Sequence, residues 1–154
     1  MLTHPTHEAL RTLKLDGMAE VFVELLAREG SRQMDPVEWI GLMLDREGAA
    51  RDSRRFQTRL RAANLRETSA CMEDVDYRAA RKLDRALFQS LQDGVWITKH
   101  RSILITGPCG VGKSWLACAL GHEACRQGKV PLYFRIPRLF SELATARGDG
   151  SFER

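Results

Sequence analysis

The segment Gly107-Pro108-Cys109-Gly110-Val111-Gly112-Lys113-Ser114 constrains this chain more than any other, because it places a glycine-rich turn between two stretches of different hydrophobic period. It matches G-x-x-x-x-G-K-[ST], the phosphate-binding P-loop (Walker A) pattern. Before it, Arg101–Thr106 is a compact apolar run with the form of a strand buried on both faces. After it, Lys113 to Gln127 reads as a helix closed by Gly128, at the position glycine favours. A chance glycine-rich turn is the bland alternative, but a strand before and a helix after are the surroundings the motif requires.

Each fixed position has a physical task. Gly107, Gly110 and Gly112 let the backbone wrap so that successive N–H groups point at phosphate oxygens, and the helix that begins near Lys113 adds its positive end. Lys113 supplies a point charge for the β and γ phosphates. Ser114 offers its hydroxyl to Mg²⁺ arriving with the nucleotide. Cys109 and Val111 lie where only backbone is asked for, and Pro108 completes the loop. The expected cofactors are therefore ATP and Mg²⁺.

Hydrolysis asks for more, namely an acidic residue ending a second apolar strand. After Ser114 the acidic residues are Glu123, Glu142, Asp149 and Glu153, and none follows four apolar residues. The superficial match Ile40–Asp45 lies inside a helical pattern. No residue is therefore assigned a catalytic role, and whether the chain is an enzyme stays open.

Upstream, the chain reads as helical from about Thr6 to Asn64. Leu10, Leu13, Met18, Val21, Phe22, Leu25 and Leu26 recur at three- and four-residue steps, with Gly17 and Gly30 as punctuation. Asp35, Pro36 and Glu38 form a helix start of capping-box type, and one helix can then run to about Ala63, with Gly41 and Gly48 each costing about 1 kcal/mol and leaving room for a bend or break near Gly48. Residues 64–76 are less regular, and Asp84–Leu91 is a short helix. Val130–Ile136 is a second strand candidate, limited by Pro131 to an edge or a strand start. Pro137 opens a last helix that Gly148 ends. The expected domains are 1–66 (helical, with a basic helix), 67–98 (connector and short helix) and 99–154 (a partial P-loop domain).

From Arg46 to Arg66 seven arginines face only Glu47 and Asp52, a local net charge of +5 against +4 for all 154 residues. Six of them, Arg51, Arg54, Arg55, Arg59, Arg61 and Arg66, fall on one side of a helix, with Ala49, Phe56, Leu60 and Ala63 opposite. The plain alternative is a solvated helix face. Arginine with so little interleaved glutamate favours a contact surface for duplex phosphate backbone, and the lack of accompanying aromatics argues against single-strand stacking. Trp39, Trp96 and Trp115 read as packing anchors.

No window approaches the about 18 apolar residues of a membrane span, and Met1–Glu8 has neither a basic nor a hydrophobic signal region. The expected setting is the cytoplasm, without membrane contact. Cys71, Cys109, Cys118 and Cys125 include no C-x-x-C and are expected to be reduced, with no metal site.

With these residues assembled, the chain resembles the IstB-like family, ATP-binding helpers encoded beside transposases in bacterial insertion sequences. The resemblance rests on Leu13–Ala19, Leu44–Glu47, Asp74–Ala79, Trp115–Cys125 and Pro137–Leu143 together with the P-loop. It implies an α/β fold in which a helical domain precedes the start of an AAA+ module of three αβα layers, similar also to bacterial helicase loaders. It further implies an ATPase family whose members assemble as homo-oligomers around double-stranded DNA and direct a transposase to its target. Such members continue past the position of Arg154 into the Walker B strand, sensor residues and arginine finger. The expectation is therefore a truncated chain with two parallel strands lacking partners, a marginal C-terminal third and deficient hydrolysis. Two other readings stand beside it. One is a nucleotide-independent helical module, residues 1 to about 95, that binds DNA or protein; the other is a helicase-loader-like replication protein. A small kinase is disfavoured because only 40 residues follow Ser114.

Overall fold

The computed structural model describes residues 4–151. Its helices are α1 (Pro5–Thr12), α2 (Asp16–Ala27), α3 (Pro36–Ala63), α4 (Arg85–Ser90), α5 (Val95–Thr98), α6 (Lys113–Arg126) and α7 (Ile136–Gly148), with 3₁₀ turns at Ser31–Gln33 and Met72–Asp74. Two compact units divide within α3, one ending at Gln57 and the other beginning at Thr58.

The first unit packs Leu10 of α1, Ala19, Val21 and Leu25 of α2, and Met43 of α3 into a small core, with Phe22 and Trp39 against it. Trp39 donates its ring N–H to the carbonyl of Ser31 at 2.9 Å and meets Phe22 edge to face, as an anchor should. Asp35 does cap α3, its carboxylate accepting the N–H of Val37 at 2.8 Å. The helix does not break at Gly48; α3 runs unbroken for 28 residues. Gly17, expected as punctuation, instead lies buried in the first turn of α2.

The reason is a helix-to-helix approach. A Cβ on Gly17 would lie 2.8 Å from the carbonyl oxygen of Arg46 and 2.9 Å from the Cα of Glu47, so only glycine lets α2 come this close to α3. The N-cap of α2, Leu15, has no side chain able to bond the exposed N–H groups. Glu47 does this from α3: its Oε2 accepts the Gly17 N–H at 2.9 Å, while Oε1 accepts Arg51 Nε at 2.7 Å and Arg54 Nη2 at 3.2 Å. Glu47 is 4% exposed, so its charge is tolerable only because both oxygens are bonded. The Arg51 hydrogen bond, opposed by burial and helped by the Gly17 and Met18 N–H groups, holds its carboxyl below the usual carboxylate range.

The second unit is built on α6. Leu116, Cys118, Ala119, Leu120, Ala124 and Cys125 are buried, and with them Ala63, Leu65, Ala70, Met72, Val75 and Phe88. Burying each leucine side chain contributes about 1.5–3 kcal/mol. Gly121 keeps the helix close to Leu65, whose Cδ2 would lie 3.0 Å from an added Cβ. Arg59 donates from Nε to the carbonyl of Cys125 at 2.8 Å, adding a charged donor to an acceptor at the C-terminus of α6 that also takes the Gly128 N–H at 3.1 Å. Arg126 pairs with Glu73, tying the same end to the Met72–Asp74 turn.

The expected incomplete parallel sheet is not formed, since no strand occurs among the described residues. Residues 101–107 and 129–135 lie outside the helices, and a strand requires a neighbouring ladder that neither segment has here. The alternation of a strand persists: Ile103 and Ile105 are half-buried while Leu104 is 87% exposed, so the run is covered on one face and not on both as expected. Tyr133 donates its N–H to the carbonyl of Ala63 at 3.0 Å, the end of α3 taking the place of a ladder partner. No described residue of α7 is buried. Glu153 lies outside the described residues.

Replacing Gly17 by Ala should lower stability by about 1–3 kcal/mol, the cost of overpacking, as read by urea unfolding monitored at Trp39. Because the Glu47 carboxyl is depressed in the folded state, its contribution is present above the unfolded carboxylate pKa and is lost as pH falls through the folded value. Glu47→Gln should therefore be less stable than the wild type at neutral pH, with the gap narrowing on acidification. Backbone amides of residues 129–135 should exchange with deuterium faster than those of α6, whose N–H groups are bonded within a buried helix.

Candidate functional site

The site is the loop between residue 106 and α6. Gly107, Gly110 and Gly112 have φ of +146°, +84° and +88°, a region that other residues enter at a cost, so the loop's path favours glycine at the two positions the motif fixes, 107 and 112, and at one it leaves free, 110. Gly112 is also the N-cap of α6, with no side-chain cap on the helix's first N–H groups. These uncapped donors and the helix's positive end suit an anion.

Lys113 folds back over this loop. Its Nζ donates to the carbonyls of Gly107 at 2.9 Å and Pro108 at 2.6 Å, which pins the loop's first residues and uses two of the ammonium's three protons. The charge therefore sits at the rim of the loop, with one donor left for a ligand. Ser114 is exposed in the first turn of α6. Pro108, Cys109 and Gly110 are exposed, and Val111 and Gly112 are half-buried. An added Cβ on Gly110 would meet nothing within 4 Å, so the loop is uncovered at this residue. The eight loop residues 107–114 thus form one glycine turn running into the uncapped N-terminus of α6, with the Lys113 ammonium and the Ser114 hydroxyl at that end.

One residue that reaches this loop escapes a reading of the sequence. Arg81, from the connector, donates from Nη1 to the Val111 carbonyl at 3.2 Å and from Nη2 to the Asp76 carbonyl at 2.6 Å. No short motif surrounds it, and only the fold shows that it reaches the loop.

The arginines are spread along α3 and just past its end. Arg51 and Arg54 bond Glu47, Arg54 also bonds Asp16 at 3.1 Å, and Arg55 lies 3.6 Å from Asp52. Arg59 is committed to Cys125 as described. Arg61 is exposed, and Arg66 lies 3.5 Å from Glu67. Several of these cations thus serve the fold, which the sequence pattern alone does not reveal. Among the acidic residues after Ser114, Glu123 and Glu142 pair with Arg126 and Arg138, and Asp149 accepts from Ser151. Among the described residues no group of three His, Cys, Asp or Glu is placed to hold a metal ion. No described helix is long and apolar enough to cross a membrane.

The chain is 54% identical over its full length to the "Putative insertion sequence ATP-binding protein y4pL" of Sinorhizobium fredii, covering 62% of that protein. It is 47% identical, again over its full length, to the "Insertion sequence IS1162 putative ATP-binding protein" of Pseudomonas fluorescens, covering 67% of it. A more distant relative, from Mycobacterium tuberculosis, is 35% identical over 144 residues, which is 94% of this chain and 57% of the relative. The chain thus spans about three fifths to two thirds of the length of these curated relatives. The model of the IstB-like ATP binding protein family matches residues 8–154, and with these relatives it shows that the chain belongs to that family.

Proposed function

We propose that the chain is an ATP-binding helper of DNA transposition, taking Mg-ATP in the loop 107–114 and duplex DNA along the arginine face of α3, in concert with a transposase and further copies of itself. The observation that carries the nucleotide part is the loop itself: three glycines at positive φ, capped by Lys113, at the head of a buried helix. In this reading the N–H groups of the loop and Lys113 hold the β and γ phosphates, and the Ser114 hydroxyl contributes one ligand to Mg²⁺. The metal would neutralise phosphate charge. Family membership and relatives named for insertion sequences support the transposition setting. The 154-residue chain is proposed to bind without hydrolysing, because the acidic residues described after Ser114 are engaged on α6, on α7 and just after it.

The second reading is nucleotide-independent binding by the helical part, or a loader-like role in replication. It is favoured by the first unit's own core and by the cations of α3.

Calorimetric titration of Mg-ATP into the 154-residue chain should show saturable binding that Lys113→Ala weakens at least tenfold, about the worth of one charge-assisted hydrogen bond. Absence of binding in the wild type would favour the nucleotide-independent module. For DNA, the variants to use are Arg55→Ala, Arg61→Ala and Arg66→Ala, which leave the structural bonds of Arg51, Arg54 and Arg59 in place. Combined, they should reduce the slope of log affinity against log salt by about 2–3, near 0.9 for each phosphate no longer neutralised. An unchanged slope would make this face merely solvated.

A further inference from the structure

We propose that Arg81 is a positioning residue that clamps the connector 76–84 onto the phosphate loop, so that a nucleotide in the loop and order in the connector rise and fall together. The clamp is built from two ends. At one end Nη2 bonds the Asp76 carbonyl, and at the other Nη1 bonds the Val111 carbonyl, in the second half of the loop. The same Nη1 lies 3.0 Å from where a Cβ on Gly112 would stand, so the guanidinium rests on the residue that heads α6. Gly112 is glycine for two reasons, its φ of +88° and the arginine above it.

The local chain is bent to deliver this contact. The Arg81 N–H donates to the Ala79 carbonyl at 2.7 Å, and Lys82 takes a φ of +51°, a region disfavoured for a side chain of its kind. Asp84 then caps α4 by accepting the Leu87 N–H at 3.0 Å. A tight bend between Asp76 and α4 thus aims one side chain at the loop.

The chemistry of the partners matters. Both are neutral carbonyls, and among the described residues no carboxylate pairs with Arg81, so its charge is directed and not cancelled by a carboxylate. Its Nε is buried and bonded to nothing among the described residues. A guanidinium so placed holds the Val111 carbonyl and with it the turn of the loop at Val111-Gly112. It also adds positive potential where phosphate would bind. Lysine does not substitute, because one ammonium cannot reproduce a fork spanning two carbonyls.

The coupling rests on the nucleotide reading above, whereas the clamp itself does not, and the test separates them. Trypsin cleavage after Arg78, Lys82 and Arg85 is followed in the full chain, with and without saturating Mg-ATP, beside calorimetry with Mg-ATP and Mg-ADP. Without nucleotide, Arg81→Ala and Arg81→Lys should each be cut at these sites at least about threefold faster than the wild type, with cleavage after Arg126 unchanged. Mg-ATP should protect the connector in the wild type, and both Arg81 variants should bind Mg-ATP and Mg-ADP about tenfold more weakly and lose that protection at saturation.

Equal connector cleavage in wild type and Arg81→Ala without nucleotide would overturn the clamp, and so would faster cleavage everywhere, which marks general loosening. Full affinity and protection in Arg81→Lys would reduce the role to charge alone and overturn positioning. A wild type that fails to bind Mg-ATP would sink the nucleotide reading and the coupling, while the nucleotide-free comparison still decides the clamp.

Discussion

Burial of α6 is what the second unit and its loop depend on. A loop whose glycines sit at positive φ has little rigidity of its own, since glycine is the residue with most conformational freedom to lose. Its shape is held from outside. Six buried side chains fix the axis of α6, Arg59 and Arg126 hold its far end, Lys113 bonds the carbonyls of the loop's first two residues, and Arg81 bonds that of Val111 while also holding Asp76 in the connector. A phosphate site made of backbone N–H groups works only when those groups are already aimed, because each one ordered on binding would subtract from affinity.

The first unit solves a different problem with similar economy of parts. Two stretches that carry the family resemblance, around Asp16-Gly17 and Arg46-Glu47, meet at one place. Glycine removes the Cβ that would hold the helices apart, and a buried carboxylate from one helix caps the other. The arginines that follow on α3 neutralise that carboxylate before any is left for a ligand. A charge run can therefore be partly architecture and partly surface, residue by residue along one helix.

Much of this was legible in the chain's pattern. Three- and four-residue spacing marks α1 to α3, Asp35 and Pro36 mark the start of α3, and Lys113 to Gln127 with Gly128 marks α6 to within a residue. The loop glycines were legible because their requirement is local. What was not legible is what depends on distant partners. Gly17 reads as a breaker until α3 is placed against it, Glu47 and Arg59 read as surface charges until their acceptors and donors arrive, and Arg81 has no motif at all. The apolar runs 101–106 and 130–136 have strand-like composition, but ladder bonds are non-local and no partner is present among the described residues.

The most direct test of the central claim is a set of amide proton and nitrogen NMR shifts during titration with Mg-ATP. Saturable shifts centred on Gly110, Gly112, Lys113 and Ser114, and fading along α6, are the predicted result. Shifts absent from these residues, or confined to the arginines of α3, would contradict a phosphate site at the head of this helix.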